Sequence, residues 1–419
     1  MTTEGKVKVL WVSDGEAPTG FARVAHSIIK HLDQKKYDIH HLAVNYRGDP
    51  HDNWWKLYPA MWGGAMTPAG PDLLGYSRFP RLIDEIKPDL IFMLNDPWVL
   101  QRYLAIIIES KGIIPGVETI PIVTYFPVDA TEHDPEWFRD YEELVRACCV
   151  YTEFAKDVIL DTGAVNPTKI EVIPHGIDKD IFYPTDKNEA RKEIFPLNEK
   201  PEFLNSFIIL NANRNQPRKR VDITMRAFRD FVRDKPKNVK LYLHMGTRDM
   251  GWDIVRMANR YGVDDRMAIS SMNTTLTDVP DERLNQIYNA CDIGINTGLG
   301  EGWGLTSWEH AATGKPQIVP DHSALPEIWG DSGIYVPTIA DHVYEGTLTV
   351  ARVVSTEGVV EKLEWAYQDW KSGGKELKRL GDMAYKIVSS PKHKWRNIAK
   401  KFDKVFDKVR NIHDNNLAE

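Results

Sequence analysis

The chain holds little cysteine: three residues in 419, two of them adjacent at Cys148 and Cys149. So few thiols make no disulfide framework. The expected setting is a reducing, cytoplasmic one in which the thiols pack as small hydrophobes. No apolar run reaches the roughly 18 residues that a membrane-spanning helix requires, which excludes that class. Positive charge is not in excess either. A net charge of −7 gives no global attraction to nucleic acid or to an anionic membrane, although local basic patches remain. The opening MTTEGKVKVLWV passes from a few polar residues straight into a strand-like run, without the pattern of a secretory leader or transit peptide. Missing as well is G-x-G-x-x-G spacing after that first strand, which excludes the dinucleotide fingerprint.

What is present is a long, ordinary globular composition, 42% hydrophobic and 27% charged. At this length the size prior favours two domains of roughly 200 residues each. Continuous β-branched and apolar runs mark strands buried on both faces: KVKVLWVS from Lys6, YDIHHLAVN from Tyr37, PDLIFML from Pro88, IPIVTY from Ile120 and ACCVYT from Ala147. Between them run segments such as FARVAHSIIKHL with apolar residues at helical spacing. The alternation predicts a doubly wound α/β domain. Residues 185–206, charged and broken by Pro196 and Pro201, read as an interdomain connection. FIILN from Phe207 restarts the alternation, and from Val359 onward the chain reads as helical, ending in the amphipathic segment that opens at Trp395.

Chemistry gathers in a few places. GLGEGWGLTSWEHAATGKP sets Glu301 and Glu309 eight positions apart, with Gly302 and Gly304 at the start of a helix. A glycine turn at a helix N-terminus presents unpaired N–H groups and partial positive charge to a phosphate, which leaves two carboxylates for hydroxyl groups. That combination suits a sugar nucleotide. Upstream, the loop NRNQPRKR packs Arg214, Arg218, Lys219 and Arg220 between a strand end and a helix start. Ligands gather there in open parallel sheets, so the cluster reads as a phosphate site rather than a solvated basic run. In the first half, Gly20 opens a helix, while Asp96 and Asp129 follow strands and either reach a crevice or cap the next element. The stretch 46–80 shows no sustained periodicity. Its Trp54, Trp55 and Trp62 either stack on an acceptor or pack as an ordinary insertion.

In this order the motifs resemble the retaining glycosyltransferases of family 4, with the GT-B fold. The E-x7-E pattern is matched by Glu301 and Glu309, the Arg and Lys phosphate pair by Arg214 and Lys219, and the domain-exit pattern by VIPHGIDKDIFYP. The resemblance implies two Rossmann-like domains facing a central cleft. The first spans 1–184, a donor domain spans 207–394, and a terminal helix over 395–419 crosses back to the first domain. It implies that Glu301 holds donor-sugar hydroxyls and Glu309 the nucleotide ribose. Backbone N–H groups of Gly302, Trp303, Gly304 and Leu305 face the sugar and diphosphate, and Gly20 approaches the diphosphate from the other domain. Arg214 and Lys219 neutralise the leaving group, with no metal and no cofactor besides the nucleoside-diphosphate sugar donor. One departure stands out: where many members carry a His after the strand VTYFPVD, this chain has Pro127 and Val128 before Asp129, with His133 beyond. Asp129 then takes over the sugar contact or binds the acceptor hydroxyl.

The implied reaction is attack of an acceptor hydroxyl on the anomeric carbon with retention. The acceptor is a glycan, a lipid, a small molecule or a modified base in DNA. The alternatives are a sugar-nucleotide-binding protein that has lost transfer activity and a sugar-nucleotide epimerase on the same fold.

Overall fold

The computed structural model describes residues 5–67, 70–195, 201–270 and 279–418. They divide into two compact units. Unit 1 takes Met1–Val128, Glu132–His175 and Trp395–Glu419, and unit 2 takes Asp129–Thr131 and Gly176–Lys394.

Unit 1 contains β1 (Val7–Asp14), β2 (Tyr37–Val44), β3 (Lys56–Pro59), β4 (Met66–Thr67), β5 (Gly70–Pro71), β6 (Leu90–Leu94), β7 (Ile122–Phe126), β8 (Val145–Val150) and β9 (Ile170–Val172). Seven of these form one sheet in the order β3-β2-β1-β6-β7-β8-β9, every neighbouring pair parallel. β4 and β5 pair with each other apart from it. The apolar runs become strands because both faces are covered: all five residues of β6 and all five of β7 are buried. The first helix, Gly20–Ile29, begins at Thr19, whose hydroxyl accepts the Ala22 N–H, and it buries Ala22, Val24, Ala25, Ile28 and Ile29.

The stretch 46–80 holds more order than its pattern suggests. β3 extends the sheet by pairing with β2, His40 opposite Lys56. As a four-residue edge strand with no fully buried position, it is too short and too wet to show alternation.

The terminal helix Trp395–Ala418 belongs to unit 1. Its Ile398, Phe402 and Phe406 are fully buried, and the Phe402 and Phe406 rings lie 5.4 and 5.7 Å from Phe92 of β6. Lys36 bonds Asp403 at 2.7 Å and Asp407 at 2.8 Å on the same helix. These pairs are partly exposed, so the aromatic burial is the larger contribution.

Unit 2 contains β10 (Phe207–Asn211), β11 (Val239–Leu243), β12 (Met267–Ile269), β13 (Ile293–Ile295), β14 (Gln317–Pro320) and β15 (Gly333–Val336), a parallel sheet in the order β12-β11-β10-β13-β14-β15. After it, β16 (Thr338–Val343) and β17 (Val350–Val354) form an antiparallel hairpin that the sequence pattern does not announce. Unit 2 begins at Gly176, inside the Pro-His-Gly turn. Within 185–206, Lys187–Ile194 is helical, and its buried Arg191 pairs with Asp292 at 2.7 Å; residues 196–200 lie outside the described ones. No helix among the described residues is long and apolar enough to cross a membrane.

Candidate functional site

The strand order of unit 2 reverses between β10 and β13, and in an open parallel sheet the loops leaving two such strands bracket a ligand crevice. The loop after β10 carries Lys219, and the loop after β13 carries Glu301. Pro217–Lys219 makes a tight 3₁₀ turn, Arg220 takes a left-handed φ of 45°, and the helix Val221–Phe231 starts. Thr297 ties the two loops together: its hydroxyl donates to the Arg220 carbonyl at 2.9 Å and pairs with the Thr224 hydroxyl at 2.8 Å.

In this frame the Lys219 ammonium donates to Glu301 Oε1. Both side chains are nearly inaccessible, at 9% and 6% exposure. Asn296 Nδ2 donates to the same Oε1 at 2.9 Å, while its Oδ1 accepts the Gly298 N–H at 2.8 Å. Glu301 N–H donates to the Ser323 hydroxyl at 3.1 Å. Glu301 Oε2 accepts no hydrogen bond among the described residues. Burial pushes the Glu301 carboxyl up, but Lys219, Arg218 and the bonds from Lys219 and Asn296 outweigh it and hold the group below the ordinary range. Burial followed by the neighbouring Arg218 lowers the Lys219 ammonium, against the pull of Glu301. The result is a fixed ion pair with one carboxylate oxygen left over.

Asp129 joins this set because Asp129–Thr131 belongs to unit 2. Its Oδ2 lies 3.4 Å from Arg218 Nη1. Burial raises its carboxyl, Arg218 opposes and Glu301 adds to the rise. Gly300 passes so close beneath that a Cβ there would run into the Asp129 carbonyl oxygen. Tyr344 packs nearby on Ala130, Leu299 and Ala351.

The other expected residues lie outside the Lys219–Glu301–Asp129 contacts. Arg214, 41% exposed, is held by a two-pronged pair with Asp249, at 2.6 and 3.1 Å, and that carboxylate is 4% exposed. Glu309 stands one turn into the short helix Leu305–Ala311 and accepts the Tyr288 hydroxyl at 3.1 Å. Gly304 caps that helix with φ +83°, a conformation other residues rarely adopt. Gly302 and Leu305 flank this cap, and the Trp303 ring packs 4.9 Å from Trp308. Within unit 1, Gly20 follows β1 and Asp96 follows β6, the strands between which its own sheet order reverses. Asp96 is half-buried at the start of the helix Pro97–Glu109.

Of the two readings of the tryptophans, Trp55 follows the packing one. Trp55 is 3% exposed and packs 5.2 Å from His26, so its faces are taken up by the core of unit 1. Trp54 stands edge-on to it, and Trp62 is 49% exposed with Arg78 and Arg81 over its ring. His133 packs 5.3 Å from Trp137 in unit 1. The sequence marks Arg218 only as one of a cluster and does not single out Asn296 or Ser323. Asn296 had one signal, its place at the carboxyl end of β13. The described residues hold no group of His, Cys, Asp and Glu arranged to bind a metal ion.

Two family models match the chain. One described as Glycosyltransferase Family 4 covers residues 18–181, and one described as Glycosyl transferases group 1 covers residues 206–351. A D-inositol 3-phosphate glycosyltransferase of Mycobacteroides abscessus is 29% identical over 45% of this chain and 40% of its own length. The match therefore spans well under half of that relative. Among solved structures, a glycosyltransferase from Rickettsia africae aligns with a TM-score of 0.68 at 15% identity, over 96% of this chain and 98% of that one. Anabaena HepE in complex with UDP and glucose aligns with a TM-score of 0.65 at 15% identity, over 96% and 100%.

Proposed function

Because the chain belongs to the family 4-type glycosyltransferases, with the GT-B fold, we propose that it moves a sugar from a nucleoside-diphosphate sugar to an acceptor hydroxyl with retention at the anomeric carbon. The observation that carries this reading is the buried Lys219–Glu301 pair at the strand-order reversal of unit 2, with Glu301 Oε2 left over. Glu301 Oε2 takes a donor-sugar hydroxyl and Glu309 the ribose. Lys219, with Arg214 and Arg218 on the same loop, faces the diphosphate, and the backbone of Gly302 to Leu305 lies along it.

The transition state resembles an oxocarbenium ion parting from a diphosphate, so the main need is stabilisation of negative charge on the departing oxygens. A lysine already fixed and dehydrated meets that need without reorganising. In this reading the loop cations take the charge that a metal would otherwise take. Asp129 receives the acceptor hydroxyl, and a phosphate oxygen of the leaving group accepts its proton.

The test is a donor panel scored by release of nucleoside diphosphate, with and without acceptors. UDP-glucose comes first because HepE structures hold UDP, glucose and UDP-glucose. Inositol phosphates come first among acceptors because the curated relatives are named for one. Transfer from one donor with retained configuration supports the reading. Failure to bind or cleave any donor of the panel sinks it.

A further inference from the structure

The β16–β17 hairpin stands outside both parallel sheets, and its free edge is in use. Within the hairpin, Tyr344 N–H bonds the Thr349 carbonyl at 3.0 Å, so at the next position the Val350 N–H and C=O point outward. Both are taken by one residue: Val350 N–H donates to the Thr131 carbonyl at 3.0 Å, and Thr131 N–H donates to the Val350 carbonyl at 2.9 Å. Two residues on, Arg352 N–H donates to the Leu299 carbonyl at 3.1 Å, and Leu299 N–H donates to the Arg218 carbonyl at 2.8 Å. Ala130, Leu299 and Ala351 close into a small apolar cluster, each at most 3% exposed. One strand edge thus grips the segment that carries Asp129 and the segment that carries Glu301, while Gly300 lets the Asp129 backbone lie directly on the second.

We propose that the β16–β17 hairpin is the element that sets Asp129 beside Glu301 and Arg218, with Val350 and Gly300 as its positioning residues. The inference rests on the reading of Asp129 as the group that receives the acceptor. The hairpin acts through its backbone at Val350 and Arg352, as a third-strand clasp. Binding of the nucleotide depends on Lys219 and Glu301, whose loops are also held by Thr297, Asn296 and Ser323, so loss of the Val350–Thr131 bonds alone falls on the transfer step and not on donor affinity.

Val350→Pro removes the N–H given to Thr131 at a position where the hairpin itself does not use it, and edge positions tolerate proline. The expected result is UDP affinity within about threefold of the unsubstituted protein, donor KM likewise, and kcat for transfer reduced about tenfold or more. Asp129→Asn should show the same split, and Asp129→Asn with Val350→Pro should lose no more than either alone. Amide exchange of Thr131, slow in the unsubstituted protein, should become fast. Gly300→Ala, which forces the Asp129 backbone away, repeats the kcat and Thr131-exchange readings should the proline variant fold poorly by circular dichroism. Full kcat in both variants, losses that multiply in the double variant, or fast Thr131 exchange in the unsubstituted protein overturns the proposal while leaving the transferase reading intact. No transfer from any donor by the unsubstituted protein overturns both.

Discussion

Lys219 and Glu301 are each costly to bury alone, and each is present because of the other. Removing one partner leaves an uncompensated charge in a nearly dry place, which costs more than the pair contributes when intact. Lys219→Ala is therefore expected to lower nucleoside-diphosphate release by ~10²- to 10³-fold, the scale on which loss of one preorganised charge-stabilising group is felt. Glu301→Gln, which keeps the shape but leaves the Lys219 ammonium without its counter-charge, is expected to lose activity through the sugar contact and to lower the urea midpoint of unit 2. Steady-state assays of nucleotide release decide both, and near-normal turnover removes the residue from the site. Two buried histidines make a separate case. Burial lowers His41 and His310 to about 3. Both are neutral in the fold; His310 bonds the Tyr288 carbonyl and Gln317 at 3.1 Å each. Between about pH 6.5 and 3 the unfolded chain binds protons that the folded chain refuses, so stability falls as pH drops. The loss is about 1.4 kcal/mol per pH unit for each histidine, or about 2 kcal/mol each at pH 5. Urea midpoints at pH 7 and pH 5 read this, and replacing His310 with Gln should flatten the slope for unit 2.

Elements differ in how plainly the sequence announces them. FIILN became β10 with the expected limits, because a strand covered on both faces must be apolar throughout. The terminal helix was legible for a related reason: its Ile398, Phe402 and Phe406 repeat at helical spacing and are buried against unit 1. Phe402→Ala is expected to destabilise unit 1 by about 3–5 kcal/mol through lost contact and a cavity, read as a drop in its urea midpoint with unit 2 unchanged. The hairpin was illegible. β16 has no fully buried residue, and the hairpin's apolar Ile339, Val343 and Leu348 are 66%, 53% and 69% exposed, so neither alternation nor an apolar run marks it. For the candidate site, residue types and spacing suggested Lys219 and Glu301 because both flank glycine- or proline-rich turns after strands. Which arginine lies beside Asp129 was hidden, since Arg214, Arg218 and Arg220 look alike until folding assigns Asp249 to Arg214, Asp129 to Arg218 and Asp222 to Arg220.

For the whole molecule, net charge bears on the acceptor. At −7 the chain has no global attraction for a polyanion. Affinity for unmodified duplex DNA is expected to be absent at about 0.15 M salt; tight binding with a steep salt dependence would restore the modified-base acceptor. Ligand linkage should act on one unit only. UDP at about 100 times its dissociation constant is expected to add about 2.7 kcal/mol to the unfolding of unit 2 and nothing to that of unit 1, provided the two transitions separate in urea. The division of the chain also limits how the protein can be taken apart. Unit 2 is completed by Asp129–Thr131, borrowed from within the span of unit 1. A fragment running 176–394 would leave the outward N–H and C=O of Val350 open, an unpaired strand edge of the kind that recruits other chains. A chimera joined at residue 175 inherits the same problem, because the incoming half must bring a matching tripeptide along a stretch of sequence that simple cut-and-join logic assigns to the other parent.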